Sequence, residues 1–210
     1  MSPSDVRSLL LSRATAAGLL IDAALLGRLD TYFRLLAHWN ARINLTGFSL
    51  DKPTARAVDR LLIEPMLITQ ALTYPVDVWF DLGSGGGSPA IPIQLYKPAG
   101  LLVLVESKGR KAAFLREVSR ELGLERVEVE ATRIELIAAS HRRAGTADLV
   151  TIRAVRPSDA VLAAIASLLR RGGQAAVIGS TRTIRAPISL QVAPSAEFAL
   201  DSSLCLLSKL

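Results

Sequence analysis

The hydrophobic pattern changes period about a third of the way along the chain. From about residue 4 to 72, apolar side chains recur every three or four positions. Leu25, Leu26, Leu29, Tyr32, Phe33, Leu36 and Trp39 fall on one helical stripe. Asn44-Leu45-Thr46-Gly47 interrupts that pattern, a second amphipathic stretch runs from about Pro53 to Leu72, and Tyr74-Pro75 punctuates the chain. Beyond it, short apolar runs over 76–82, 101–106, 127–131, 147–152 and 174–179 read as strands. Amphipathic segments such as 111–122 and 160–171 lie between them. Strands alternating with helices predict a doubly wound α/β sheet, mostly parallel and covered on both faces. Two further strand-like runs between Ile188 and Leu207, parted by Asp201-Ser202-Ser203, predict a C-terminal antiparallel hairpin. The expected layout is a helical extension over 1–74 and an α/β domain over 75–210, forming one compact unit.

Composition narrows the chemistry. The 210 residues are half hydrophobic, enough for a sizeable core. The formal net charge is +6, and the excess is spread over pairs such as Arg110-Lys111, Arg142-Arg143 and Arg170-Arg171. That suits an anionic partner, although solvated Arg-rich faces are also common in basic proteins. A single cysteine, Cys205, excludes an internal disulfide and a cysteine-based metal site. No apolar run approaches the ~20 residues of a membrane helix, and the N-terminus lacks a secretory layout. Asp5 and Asp22 speak against a transit peptide, so a cytoplasmic protein is expected.

The sharpest local feature is Asp81-Leu82-Gly83-Ser84-Gly85-Gly86-Gly87, at the end of the first strand and before a helix. Glycines there allow a tight turn and let a ligand approach bare backbone, at the strand end where open parallel sheets bind ligands. The dinucleotide fingerprint wants glycine or alanine where Ser88 stands. The pattern D-x-G-x-G-x-G resembles motif I of class I methyltransferases instead. A carboxylate two residues before the first glycine would repel a pyrophosphate, whereas it would attract the aminium of S-adenosylmethionine. Asp81 equally well holds the turn by hydrogen-bonding loop amides, and both roles stay open. Glu106 ends the next strand ~20 residues on, where an acid accepts hydrogen bonds from ribose hydroxyls.

Several stretches in order resemble the glucose-inhibited division protein B family of 16S rRNA guanine-N7 methyltransferases, most closely from about Leu36 to Gly179. They are Trp39-Asn40-Ala41-Arg42-Ile43-Asn44-Leu45-Thr46, Gly87-Ser88-Pro89-Ala90-Ile91-Pro92, the Glu106-Ser107 pair leading into Lys108 to Leu115, Arg133-Ile134-Glu135, and Thr151-Ile152-Arg153-Ala154. The resemblance implies a Rossmann-like class I methyltransferase domain using S-adenosylmethionine, with S-adenosylhomocysteine as product and the small ribosomal subunit as partner. It implies that Gly83, Ser88, Ile134, Glu135 and Arg153 line the cofactor site, Ile134 and Glu135 beside the adenine, and it joins them to Asp81, Gly85, Gly87 and Glu106, the cofactor candidates of the loop and strand end. Arg153 would also face the RNA, and Arg110 and Lys111 become phosphate contacts. From its position alone, Arg153 could equally be a structural ion-pair partner.

Three departures bear on the substrate. The family's R-H-[IL]-L-D-S stretch is here Arg60 to Pro65, with Leu61 in place of histidine; Ile178 replaces a lysine and Ser203 an arginine. Guanine N7 carries a lone pair and no proton, so its methylation requires alignment rather than a general base. No catalytic dyad is visible: His38 and His141 read as structural or solvated, and no metal site is expected. An exocyclic-amine methylase motif is absent after the fourth strand, and Cys205 sits too late for attack on a pyrimidine carbon. The alternatives are a divergent methyltransferase acting on another RNA or a small molecule, and a non-catalytic RNA- or ribosome-binding protein. A monomer is expected.

Overall fold

The computed structural model describes residues 3–179, 184–193, 196–198 and 202–210. Helices α1 (Pro3–Ala16) and α2 (Ala23–Asn40) come first. Asp22 caps α2 by accepting from Leu25 N. After a loop, Thr54 caps α3 (Ala55–Val58), which runs through a π-helical turn (Asp59–Ile63) into α4 (Glu64–Ile68).

The sheet follows: β1 (Val78–Leu82), α5 (Ala90–Tyr96), β2 (Leu101–Val105), α6 (Gly109–Glu121), β3 (Val127–Glu130), α7 (Ile134–Ala138), β4 (Ala147–Arg153), α8 (Asp159–Leu168) and β5 (Leu169–Ile178). It closes with β6 (Leu190–Val192), β7 (Ala196–Phe198) and β8 (Ser202–Lys209). The order is β3-β2-β1-β4-β5-β8-β6, with β7 also paired to β8. The first five strands are parallel, and β8 runs antiparallel between β5 and the edge. Chain order reverses between β1 and β4, so the crevice for a ligand opens at their carboxyl ends.

Alternate residues of each strand feed two cores. Trp79, Leu102, Leu104, Leu149, Ala176 and Ile178 pack with Leu10, Leu29, Tyr32, Phe33 and Leu36 of the N-terminal helices. Phe80, Val103, Val105, Val150, Ile152 and Val177 face α7 and α8 on the other side. The N-terminal helices thus supply one covering layer of the sheet. Full burial of side chains such as Leu29, Phe33 and Leu36 contributes roughly 1.5–3 kcal/mol each.

Two boundaries differ from the sequence expectation. Leu169-Arg170-Arg171 begins β5 rather than ending α8. The β4–β5 register is irregular between Ala147 and Leu149, and Gly173 presses so closely on Ala147 O that a Cβ would lie 2.7 Å from it. At the C-terminus, Ser202 and Ser203 belong to β8 instead of a turn, paired with Phe198 and Glu197, while Asp201 lies outside the described residues. The returning edge is two short strands, β6 and β7, both antiparallel to β8.

Candidate cofactor and RNA site

The glycine loop is built by close approach. Gly83 N and Ser84 N both donate to Val105 O, at 2.8 and 3.1 Å, folding the loop back over the end of β2. At Gly83 φ is +75°, and a Cβ would sit 2.6 Å from Val155 Cγ2; both facts demand glycine. At Gly87 a Cβ would meet Ile91 Cγ1 at 2.9 Å, so this position faces the packing beneath the loop. The helical layer braces the loop too: Tyr32 Oη donates to Gly86 O at 2.7 Å.

Two carboxylates flank the loop. Glu106, 7% exposed, accepts from Gly85 N at 3.0 Å on one oxygen and from Lys108 N at 2.8 Å on the other. It ties the glycine loop to the start of α6 and keeps lone pairs to spare. Asp81 lies deeper. Trp79 Nε1 donates to Thr151 Oγ1, which donates in turn to Asp81 Oδ1. Asp81 Oδ2 is buried with no hydrogen-bond partner. Burial pushes the carboxyl up to about 6, against the opposing pull of Thr151, Ser84 and Arg153.

A buried ion network forms the next wall. Glu64, with no exposed side-chain surface, receives Arg60 Nη1 at 2.6 Å and Arg153 Nη2 at 3.2 Å. Arg153 Nη1 donates to Ser88 Oγ at 2.9 Å, and Ser88 Oγ donates to Leu61 O. The π-helical turn that carries Arg60 and Leu61 is held from α1 by Arg13, which forks onto both oxygens of Asp59 at 2.7 Å. Desolvation lowers the Arg153 pKa, with Glu64 pulling the other way. Ala154 follows at φ +56°, unusual for a non-glycine residue, and turns the chain so that Val155 covers Gly83.

These parts enclose a cavity of about 560 Å³ lined by Gly83, Gly85, Ser88, Glu106, Lys111 and Arg153, together with Arg56, Arg60, Leu61 and the Asn44–Phe48 loop. Ile134 and Glu135 line a neighbouring cavity of about 620 Å³ with Ser107, Lys108 and Arg133. The two meet along the chain at Glu106-Ser107. Of the residues expected at the site, Asp81 and Gly87 lie beneath the loop rather than on its surface, and Arg110 faces away into a third cavity. Of the departures, Leu61 lines the first cavity while Ile178 is buried in the core beneath.

Sequence reasoning did not single out Arg56, Arg60, Glu64, Asn44 or Phe48 as site residues. The Arg60–Glu64 spacing of four on a helix was the available signal. The Asn44–Phe48 loop is placed by Asn40, whose Oδ1 accepts from Leu45 N and Thr46 N at 2.9 Å while Nδ2 donates to Phe48 O.

A family model described as rRNA small subunit methyltransferase G matches residues 26–185. A ribosomal RNA small subunit methyltransferase G from Halorhodospira halophila is 33% identical over 167 residues, covering 80% of this chain and 75% of that one. Its counterpart from Stenotrophomonas maltophilia is 35% identical over 173 residues, covering 81% and 76%. Among solved structures, a SAM-dependent methyltransferase from Aquifex aeolicus shares the fold, with a TM-score of 0.56 at 13% identity over 77% of this chain and 95% of that one.

Proposed function

This chain belongs to the rRNA small subunit methyltransferase G family, and from that premise we propose that it transfers a methyl group from S-adenosylmethionine to N7 of a guanine in 16S ribosomal RNA. The observation that carries this to the site is the cavity over the glycine loop. Arg56, Arg60, Lys111 and Arg153 line it, and Glu106 is the one carboxylate among its lining residues. Such a wall suits the phosphates around a target nucleotide. It presents no histidine or cysteine as base or nucleophile, as expected for a nitrogen that attacks with a free lone pair.

The residues present fit the cofactor. Asp81 Oδ2 is a buried oxygen without a partner, a place for the aminium to act directly or through water. Glu106 has lone pairs left for ribose hydroxyls, and the glycine loop leaves bare backbone at the cavity wall. When bound, S-adenosylmethionine supplies a sulfonium methyl that a neutral lone pair can attack. Ile134 and Glu135, which line the neighbouring cavity, would flank the adenine. Arg153, fixed by Glu64 and Ser88, would face both cofactor and RNA, and Lys111 would hold a phosphate.

The described residues include no helix long and apolar enough to cross a membrane. We place the protein in the cytoplasm, working as a monomer.

The test is transfer of labelled methyl to small ribosomal subunits lacking native methylations, with nucleoside analysis. Label recovered as 7-methylguanosine in 16S rRNA is expected. Cofactor binding without label would overturn the assignment in favour of a methyltransferase with another substrate.

A further inference from the structure

The first turn of α6 splits its two cations. Lys111 lines the cavity over the glycine loop, while Arg110 is exposed and lines a separate cavity of about 370 Å³. The loop after α2 divides in the same way. Asn44 and Leu45 line the first cavity, and Arg42 and Ile43 line the second. Neighbouring residues lie ~3.8 Å apart between Cα atoms, so on two independent segments the cavities are a single residue apart.

The second cavity holds an oriented aromatic ring. Trp39 is half-buried; its Nε1 donates to Glu117 Oε1 at 3.1 Å, and its ring lies 5.8 Å from Phe114 at a tilt of 59°. Arg42, Arg110 and Glu117 supply the charged lining, with His38 beside Arg42. Arg42 contacts the His38 ring, and Arg110 has no hydrogen-bond or ion-pair partner among the described residues. An indole bordered by guanidiniums is the donor set that takes single-stranded nucleic acid: bases stack on the ring while cations meet the phosphates. Glu117, tied to the indole, suits a base's exocyclic amine rather than a phosphate.

We propose that this cavity is a second nucleotide subsite, in which an unpaired nucleotide flanking the methylated one stacks on Trp39 with its phosphate held by Arg42 and Arg110. The subsite rests on the assignment of the chain as an rRNA methyltransferase. It also gives Arg110 a task its orientation otherwise denies it, because it cannot serve the first cavity beside Lys111.

The experiment measures KM and kcat with small subunits lacking native methylations at several salt concentrations, together with the Kd for S-adenosylmethionine. Arg42→Ala and Arg110→Ala alter exposed side chains and are expected to fold. Each should raise KM roughly three- to tenfold and lower the salt slope by about one, with kcat and cofactor affinity unchanged. Trp39→Leu should raise KM by about tenfold or more, and Trp39→Phe, which keeps a stacking face, by clearly less. Unchanged KM in both arginine variants overturns the subsite while leaving the methyltransferase assignment intact. A raised KM with an unchanged salt slope points to a ribosomal protein instead of RNA and also overturns it. Equal losses in Trp39→Phe and Trp39→Leu, accompanied by weaker cofactor binding, reveal a packing role and overturn the stacking. A wild-type protein that transfers no methyl to the particle fails the underlying assignment, and the subsite falls with it.

Discussion

Replacing Asp81 by asparagine separates what the fold needs from what the ligand needs. The carboxyl is held at about 6 rather than 3.8, chiefly by burial. A native pKa above the unfolded one means the folded chain holds an extra proton between about pH 4 and 6. The contribution to stability is therefore fully present below pH ~4 and lost as pH rises through ~6. A shift of about two units corresponds to ~3 kcal/mol of lost stability once ionisation is complete. Asp81→Asn cannot ionise and lacks this dependence. Its stability relative to the parent should rise by about 1.5 kcal/mol between pH 5 and pH 8, when both pKa values are carried through the linkage relation. The constant part of the change is separate: a buried Nδ2 where Oδ2 now has no partner costs about 1–3 kcal/mol at every pH. Urea unfolding of both proteins without ligand at the two pH values gives the difference directly. The same variant should bind S-adenosylmethionine about ten- to a hundredfold more weakly at pH 8, through loss of a charge-assisted hydrogen bond to the aminium, measured by titration calorimetry. A stability difference that stays constant from pH 5 to 8 would refute the buried-charge argument. Undiminished affinity would remove Asp81 from cofactor recognition.

Two further substitutions probe the walls of the site. Gly83→Ala places a Cβ 2.6 Å from Val155 at a φ of +75°; a cost of about 1–3 kcal/mol in thermal melts and a cofactor affinity reduced at least tenfold are expected, and wild-type affinity would show that the loop relaxes freely. Glu64→Leu strips Arg60 and Arg153 of their shared buried carboxylate; a loss of about 3–5 kcal/mol in urea unfolding is expected, and a loss under 1 kcal/mol would mean that both guanidiniums find water instead.

Much of the architecture was legible along the chain because it depends on near neighbours. The period of the apolar residues distinguished the helical layer from the sheet, and the strands whose two faces are both buried announced themselves as continuous apolar runs. The glycine loop and the acid at the end of β2 were visible as well, since a tight turn beside a ligand admits few residue types. Where local chemistry was ambiguous, the boundaries slipped, as at Leu169-Arg170-Arg171, where a helix-like run is drawn into β5 by pairing with β4.

The sequence by itself determined the alternation of elements, the glycine loop at the end of β1, and the order of motifs that identifies the family. Tertiary structure alone decided which of those residues meet. Glu64 reaches Arg153 across 89 positions of chain, Tyr32 braces Gly86 across 54, and the helix turn at Arg110-Lys111 points one cation at each of two cavities. Motifs record which side chains are present, but burial and direction follow from how α1, α2 and the π-helical turn pack on the sheet. That packing is set by contacts distant in sequence, on which no local pattern reports.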